Sequence, residues 1–196
     1  MSVQIAILAA GSSSRLGSPK QLVDWHGEPL LRHLARQAHA TNIPVTIILG
    51  ASYNTILPTV TDLPDKVVNN RSWEEGMSSS IRLAVEMAET DALLLMLCDQ
   101  PQVSTALLCK IVSAYKAGTH TIVASQYAGI LGVPALFDSA LFEELSELRG
   151  PQGAKAIIER YQSTTLGIPF EGGVHDLDTL ADVEMARSQS LPAGET

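Results

Sequence analysis

The 196-residue sequence predicts an α/β protein with a three-layer, doubly wound, mostly parallel sheet. Two observations carry that expectation. Short apolar runs alternate with longer stretches of helical periodicity, and several of the runs are apolar throughout, as strands covered on both faces by helices must be. A hydrophobic content of 45% suits one sizeable core, so residues 1–188 are expected to form a single domain. Residues 189–196, small and polar, read as a loose C-terminal tail.

In chain order, "VQIAILA" is a buried strand that ends before Gly11, and "PLLRHLARQAHA" is the first long helical pattern. "VTIILG" and "KVVNN" follow as strands, and "SSSIRLAVEMAE" as a helix. "ALLLML" is the most continuously apolar strand; "STALLCKIVSAYKAG" is helical and "TIVAS" extended. Beyond it, "GILGVPALFDSALFEELSEL", "GPQGAKAIIERY" and "GGVHDLDTLADVEMAR" mix glycine turns, helices and short extended pieces, so some antiparallel or inserted structure is expected there.

A net charge of −8 with 13 scattered basic residues gives no surface for tracking a polyanion, which argues against nucleic acid as a partner. Cys98 and Cys109 lie in apolar surroundings without metal-like pairing and read as reduced core thiols. The N-terminal apolar run is too short to span a bilayer and no basic segment precedes it, so a cytoplasmic location away from membranes is expected.

In doubly wound sheets ligands bind beyond the carboxyl ends of strands. The first such place reads "LAAGSSSRLGSPK", residues 8 to 20. Gly11 permits a turn that a side chain would obstruct, and Ser12, Ser13 and Ser14 offer successive N–H groups and hydroxyls, an anion cradle. Arg15 can fork onto phosphate oxygens and Lys20 adds a mobile point charge, which together suit a triphosphate. The glycine spacing is neither G-x-G-x-x-G nor the Walker pattern.

This stretch resembles the nucleotidyltransferase signature L-A-x-G-x-x-x-R-hydrophobic-G-x-x-K in its MobA-like form, the branch that includes molybdenum cofactor cytidylyltransferases. "NNRSWEEGMSSSIRLAV", "LLLMLCDQPQVS" and "GILGVPALF" follow in the order of that branch, so the likeness reaches about Glu184. The resemblance implies that Leu8, Ala9, Ala10, Gly11, the three serines, Arg15 and Lys20 bind nucleotide, with Asn70, Gly76, Ser78, Ser79 and Ser80 near the base. It implies Mg²⁺ on Asp99, helped by Asp176, and makes Arg15, Lys20 and Asp99 the catalytic set. Gln100, Pro101, Gly129, Gly132, Pro134 and Lys155 fall on the acceptor side, where Val133 replaces a common histidine and Pro151 an acid.

Several of these residues have a second reading. Asp99 can be a helix N-cap or turn aspartate before Pro101, Asp178 and Thr179 can cap the last helix, the serines after Gly76 can be ordinary caps, and Trp73 can be core. The reaction implied is transfer of a nucleoside monophosphate, with CTP favoured because the Ala10 methyl would crowd a purine, to the phosphate of molybdopterin with release of pyrophosphate. A sugar or polyol phosphate as acceptor, or a non-catalytic protein that delivers the cofactor to a molybdoenzyme client, are the alternatives.

Overall fold

The computed structural model describes residues 1–14, 16–118 and 120–190. Arg15 and residues 191–196 of the expected tail lie outside the described residues. The strands are β1 (Val3–Ala9), β2 (Asp24–Trp25), β3 (Glu28–Pro29), β4 (Val45–Leu49), β5 (Lys66–Asn69), β6 (Ala92–Leu97), β7 (Ile122–Tyr127), β8 (Ile130–Asp138) and β9 (Leu166–Pro169). The helices are α1 (Leu30–His39), α2 (Tyr53–Ile56), α3 (Met77–Glu86), α4 (Thr105–Ala117), α5 (Phe142–Glu147), α6 (Lys155–Arg160) and α7 (Leu180–Ser190).

Seven strands form one sheet in the order β5-β4-β1-β6-β8-β7-β9. The pairings β1·β4, β1·β6, β4·β5 and β7·β9 are parallel, and β8 runs antiparallel to both β6 and β7. The antiparallel insertion expected in the second half is therefore β8. It is reached from β7 through a tight turn in which Ala128 and Gly129 both take positive φ, 48° and 77°, the conformation a two-residue hairpin demands. β2 and β3 make a separate small ribbon whose turn residues His26 and Gly27 do the same.

β1 is buried along its whole length, and its side chains divide between the two faces of the sheet. Ile5 and Ile7 join a core cluster with Leu30, Leu34 and Ala38 of α1, Leu108 and Ile111 of α4, and Val183 and Ala186 of α7. Ala6 and Leu8 join the opposite cluster, with Ile81 and Ala84 of α3, Leu145 of α5 and Ile157 and Ile158 of α6. Two apolar faces on one strand are the physical reason for three layers. Ser104 caps α4 by accepting from the Leu107 N–H at 3.3 Å, and Gly118 ends it.

The cysteine expectation needs one correction. Cys98 is buried as expected, but Cys109 is exposed, because α4 turns Leu108 and Ile111 inward and leaves Cys109 on its outer side. No helix among the described residues is long and apolar enough to cross a membrane.

Candidate functional site

The carboxyl ends of β1 and β6 lie side by side, since Leu8 pairs with Leu97. The loop after β1 therefore faces the loop after β6 across a cleft. A cavity of about 280 Å³ is lined there by Leu8, Ala9, Gly11, Ser13, Ser14, Lys20, Gln21, Met77, Leu97, Cys98, Asp99 and Asp178.

The backbone of the first loop is arranged by its carbonyls. The Leu8 carbonyl accepts from the Cys98 N–H (3.3 Å) and the Ala10 carbonyl from the Ala51 N–H (3.0 Å). Those of Ala9 and Gly11 accept from one donor, the Gln21 side-chain amide, at 2.7 and 3.1 Å. Among the described residues, the N–H groups of Gly11, Ser12, Ser13 and Ser14 have no such protein partner. Carbonyls secured and successive N–H groups left over make the anion cradle a physical arrangement. Ser13, at φ 55°, closes the loop by accepting from the Lys20 N–H at 2.9 Å.

Lys20 is not the free point charge that the sequence suggests. Its Nζ lies 3.1 Å from Asp99 Oδ2 and 2.9 Å from Asp178 Oδ1, with 16% of the side chain exposed. Burial works against its charge, but Asp99 and Asp178 outweigh that and hold its pKa above the ordinary lysine value. The other Asp99 oxygen, Oδ1, is buried with no hydrogen-bond partner. Desolvation first, and Asp99 second, raise the Asp176 carboxyl above the usual range even though that residue borders solvent.

Asp176 and Asp178 reach the cleft because the Leu177 N–H between them donates to the Asp99 carbonyl at 2.8 Å, tying the C-terminal segment to the end of β6. The capping question is settled here. Thr179 and Asp182 form a reciprocal box: Asp182 Oδ2 accepts from the Thr179 N–H at 2.7 Å and Thr179 Oγ1 accepts from the Asp182 N–H at 3.3 Å. Asp178 is thereby left to Lys20. Asp99 is no helix cap either, since Ser104 has that role. Among the described residues no group of three or more His, Cys, Asp or Glu side chains is arranged to hold a metal ion. Asp99, with an oxygen unpartnered among the described residues, lines the first cavity and Asp176 the third, so the two carboxylates lie on different parts of the cleft; oxygen ligands of this kind suit a hard cation that keeps most of its waters.

A second cavity, about 210 Å³, is lined by Leu8, Ala10, Gly11, Ser12, Trp73, Glu74, Gly76, Met77 and Ser80. Ala10 stands in its wall as expected. Trp73 lines it and packs on the core cluster under α3, as its core reading requires. Asn70, Ser78 and Ser79 do not line either cavity. Asn70 is buried and donates to Ser79 Oγ and Ser80 Oγ at 2.9 and 3.0 Å, while Ser78 and Ser79 donate to the carbonyls of Gly150 and Gly76, both at 2.8 Å. The start of α3 is closed by the Gly150 loop, which passes so near that a Cβ on Gly76 would meet the Gly150 carbonyl at 2.5 Å. These serines therefore pack and bond inward, and the capping reading fails, because no side chain caps the start of α3.

A third cavity of about 180 Å³ holds part of the expected acceptor side, Gln100, Gly132 and Lys155, together with Asp176, expected instead at the metal, and with Tyr127, Val133, Met77 and apolar neighbours. Gly129 lies apart, in a smaller hollow between the start of β8 and α6 that has only Lys155 in common with the third cavity, and neither Pro101 nor Pro134 lines these cavities; both are buried. Sequence reading missed Gln21, Met77 and Tyr127. Met77 and Leu8 line all three cavities, which makes the cleft continuous from cradle to acceptor side. Only the position of Met77 inside "GMSSSI" pointed to it. Gly132 and Gly173 both exist beside Tyr127 because a Cβ on either would meet its hydroxyl or ring at 2.3 Å.

Comparison with known proteins agrees with this geometry. Rv0371c of Mycobacterium tuberculosis H37Rv superposes with a TM-score of 0.86 at 28% identity, covering 96% of this chain and 98% of that one. A molybdenum cofactor guanylyltransferase of Pseudomonas fluorescens (strain Pf0-1) is 35% identical over 106 residues, 53% of this chain and 51% of that protein, so the chain spans about half the length of this curated relative. The purine catabolism protein PucB of Bacillus subtilis (strain 168) is 24% identical over 194 residues, 92% of this chain and 93% of PucB. The MobA-like NTP transferase domain matches residues 5–165, from β1 to the edge of β9, and with the cradle and the Asp99 strand end both inside that span the chain belongs to the MobA-like NTP transferase family.

Proposed function

We propose that this single-domain chain is a nucleotidyltransferase that moves a nucleoside monophosphate from a nucleoside triphosphate to the phosphate of molybdopterin. One observation carries the reading: the loop whose N–H groups from Gly11 to Ser14 are unspent among the described residues shares a cavity with a strand-end carboxylate, Asp99, whose second oxygen is buried and unpartnered among those residues. A polyphosphate needs the first and its counter-cation the second.

The cradle would hold the phosphate chain, and Lys20 would contribute positive charge at the same cavity. Arg15, outside the described residues, is assigned to the leaving pyrophosphate on the strength of the signature. Asp99 and Asp176 would hold Mg²⁺, which supplies charge neutralisation and polarises phosphoryl oxygens when bound. An oxygen of the acceptor phosphate attacks the α-phosphorus, the bond from that phosphorus to the bridging oxygen of the β-phosphate breaks, and pyrophosphate leaves in line. The acceptor is already an anion, so no protein group needs to take a proton. Catalysis then reduces to positioning and preorganised charge. The third cavity, apolar with Gln100, Tyr127 and Lys155 at its polar points, is the place for the acceptor.

Ala10 in the wall of the second cavity favours CTP over GTP, since one methyl there discriminates by about 1–3 kcal/mol. The relatives named guanylyltransferase favour GTP. Cytoplasmic residence fits two free thiols, one of them exposed. The test is pyrophosphate release with Mg²⁺, molybdopterin and each nucleoside triphosphate in turn. CTP-specific release supports the whole reading, GTP-specific release overturns the Ala10 argument alone, and release only with sugar or polyol phosphates replaces the acceptor. Absence of release with every pair refutes the proposal.

A further inference from the structure

We infer that Gln21 is a positioning residue that sets the polyphosphate cradle, an inference that rests on reading the first cavity as the nucleotide site. Gln21 is 1% exposed yet lines that cavity, in the short 3-10 turn that follows the loop. Its Nε2 spans the loop, donating to the Ala9 carbonyl at 2.7 Å and the Gly11 carbonyl at 3.1 Å. Carbonyl oxygens can only accept, so this chemistry fixes which end of the amide faces the backbone.

The consequence is seen at the other end. Among the described residues Gln21 Oε1 is buried with no hydrogen-bond partner. An orphaned buried acceptor costs about 1–3 kcal/mol, and a hydrophobic residue of similar length would avoid that cost if filling space were the task. The arrangement makes sense when the two carbonyls must be held back. Left free, the Ala9 and Gly11 oxygens could turn toward the cavity, and each would repel a phosphate where the cradle should present an N–H. Leu8 and Ala10, the alternate carbonyls, are secured by backbone donors of β6's end and of Ala51, so Gln21 completes the set with the one side chain that can reach both gaps. The donor that Oε1 lacks within the protein is one a hydrated polyphosphate brings.

The test compares Gln21→Met, which keeps length and removes both donors, with Gln21→Asn, which keeps an amide but shortens its reach. Binding of CTP, GTP, CMP, GMP and inorganic tripolyphosphate is measured by calorimetry with Mg²⁺, alongside the thermal midpoint. Loss of two hydrogen bonds worth about 1 kcal/mol each predicts a rise in Kd of up to roughly 30-fold for the triphosphates and for tripolyphosphate in both variants. The monophosphates should change by less than about twofold, because they place less charge over the loop, and that contrast is one a general loss of packing would not give. Equal weakening of mono- and triphosphates, or unchanged triphosphate affinity in either folded variant, overturns the inference. If the unaltered protein binds neither nucleotide nor tripolyphosphate, the nucleotide-site reading falls and this inference with it; binding by that protein with unaltered affinity in the variants removes Gln21 alone.

Discussion

Asn70→Ala separates a scaffold role from a ligand role at a position that the family signature places beside the nucleotide. In the structure Asn70 is 3% exposed; its amide donates to Ser79 Oγ and Ser80 Oγ at 2.9 and 3.0 Å, and its carbonyl oxygen accepts from the Ser72 N–H at 3.0 Å. Three hydrogen bonds at about 1 kcal/mol each put the loss near 3 kcal/mol. Ser79 keeps its bond to the Gly76 carbonyl, which limits the further cost of unsatisfied hydroxyls. For a domain of this size 1 kcal/mol moves the midpoint by about 2–4 °C, so a fall of roughly 6–12 °C is expected. Urea unfolding and a thermal scan measure it, with nucleotide affinity determined well below the transition. A variant of unaltered stability whose triphosphate Kd rises tenfold would refute the scaffold assignment and return Asn70 to the ligand.

Four other outcomes follow from the same geometry. Lys20→Met should abolish most pyrophosphate release and also lower the midpoint, since Lys20 and Asp99 are only 16% and 21% exposed and the change strands the Asp99 carboxylate; an unchanged midpoint would contradict that. Gly173→Ala should cost about 1–3 kcal/mol by driving a methyl against the Tyr127 ring, and the cost should vanish in a Tyr127→Ala background, as a double-mutant cycle will show. Ala10→Gly should raise the ratio of GTP to CTP turnover by about tenfold or more, and an unchanged ratio would remove Ala10 from base selection. Burial holds His33 below its ordinary value of 6.5, so the unfolded chain binds that proton more tightly; stability falls as pH drops from above 6.5 toward the folded value, and His33→Gln should flatten that part of the profile.

The sequence by itself determined the layered architecture, because a strand such as "VQIAILA", apolar at every position but one, has to be covered on both faces. It also determined where to look: glycine, serines and cations right after the first strand, and an aspartate right after "ALLLML". Local pattern stops there, since which side chains meet depends on contacts distant in the chain. Only the tertiary structure decided that Lys20 is held by Asp99 and by Asp178, 158 residues away, while Thr179 caps α7 with Asp182 reaching back to it. It likewise turned Ser78, Ser79 and Asn70 inward, through the Gly150 loop closing on α3, and exposed Cys109 on the outer side of α4. Gln21 shows the limit most clearly. In the sequence it is one polar residue beside a lysine, and its meaning comes from two carbonyls that the fold brings within reach of a single amide.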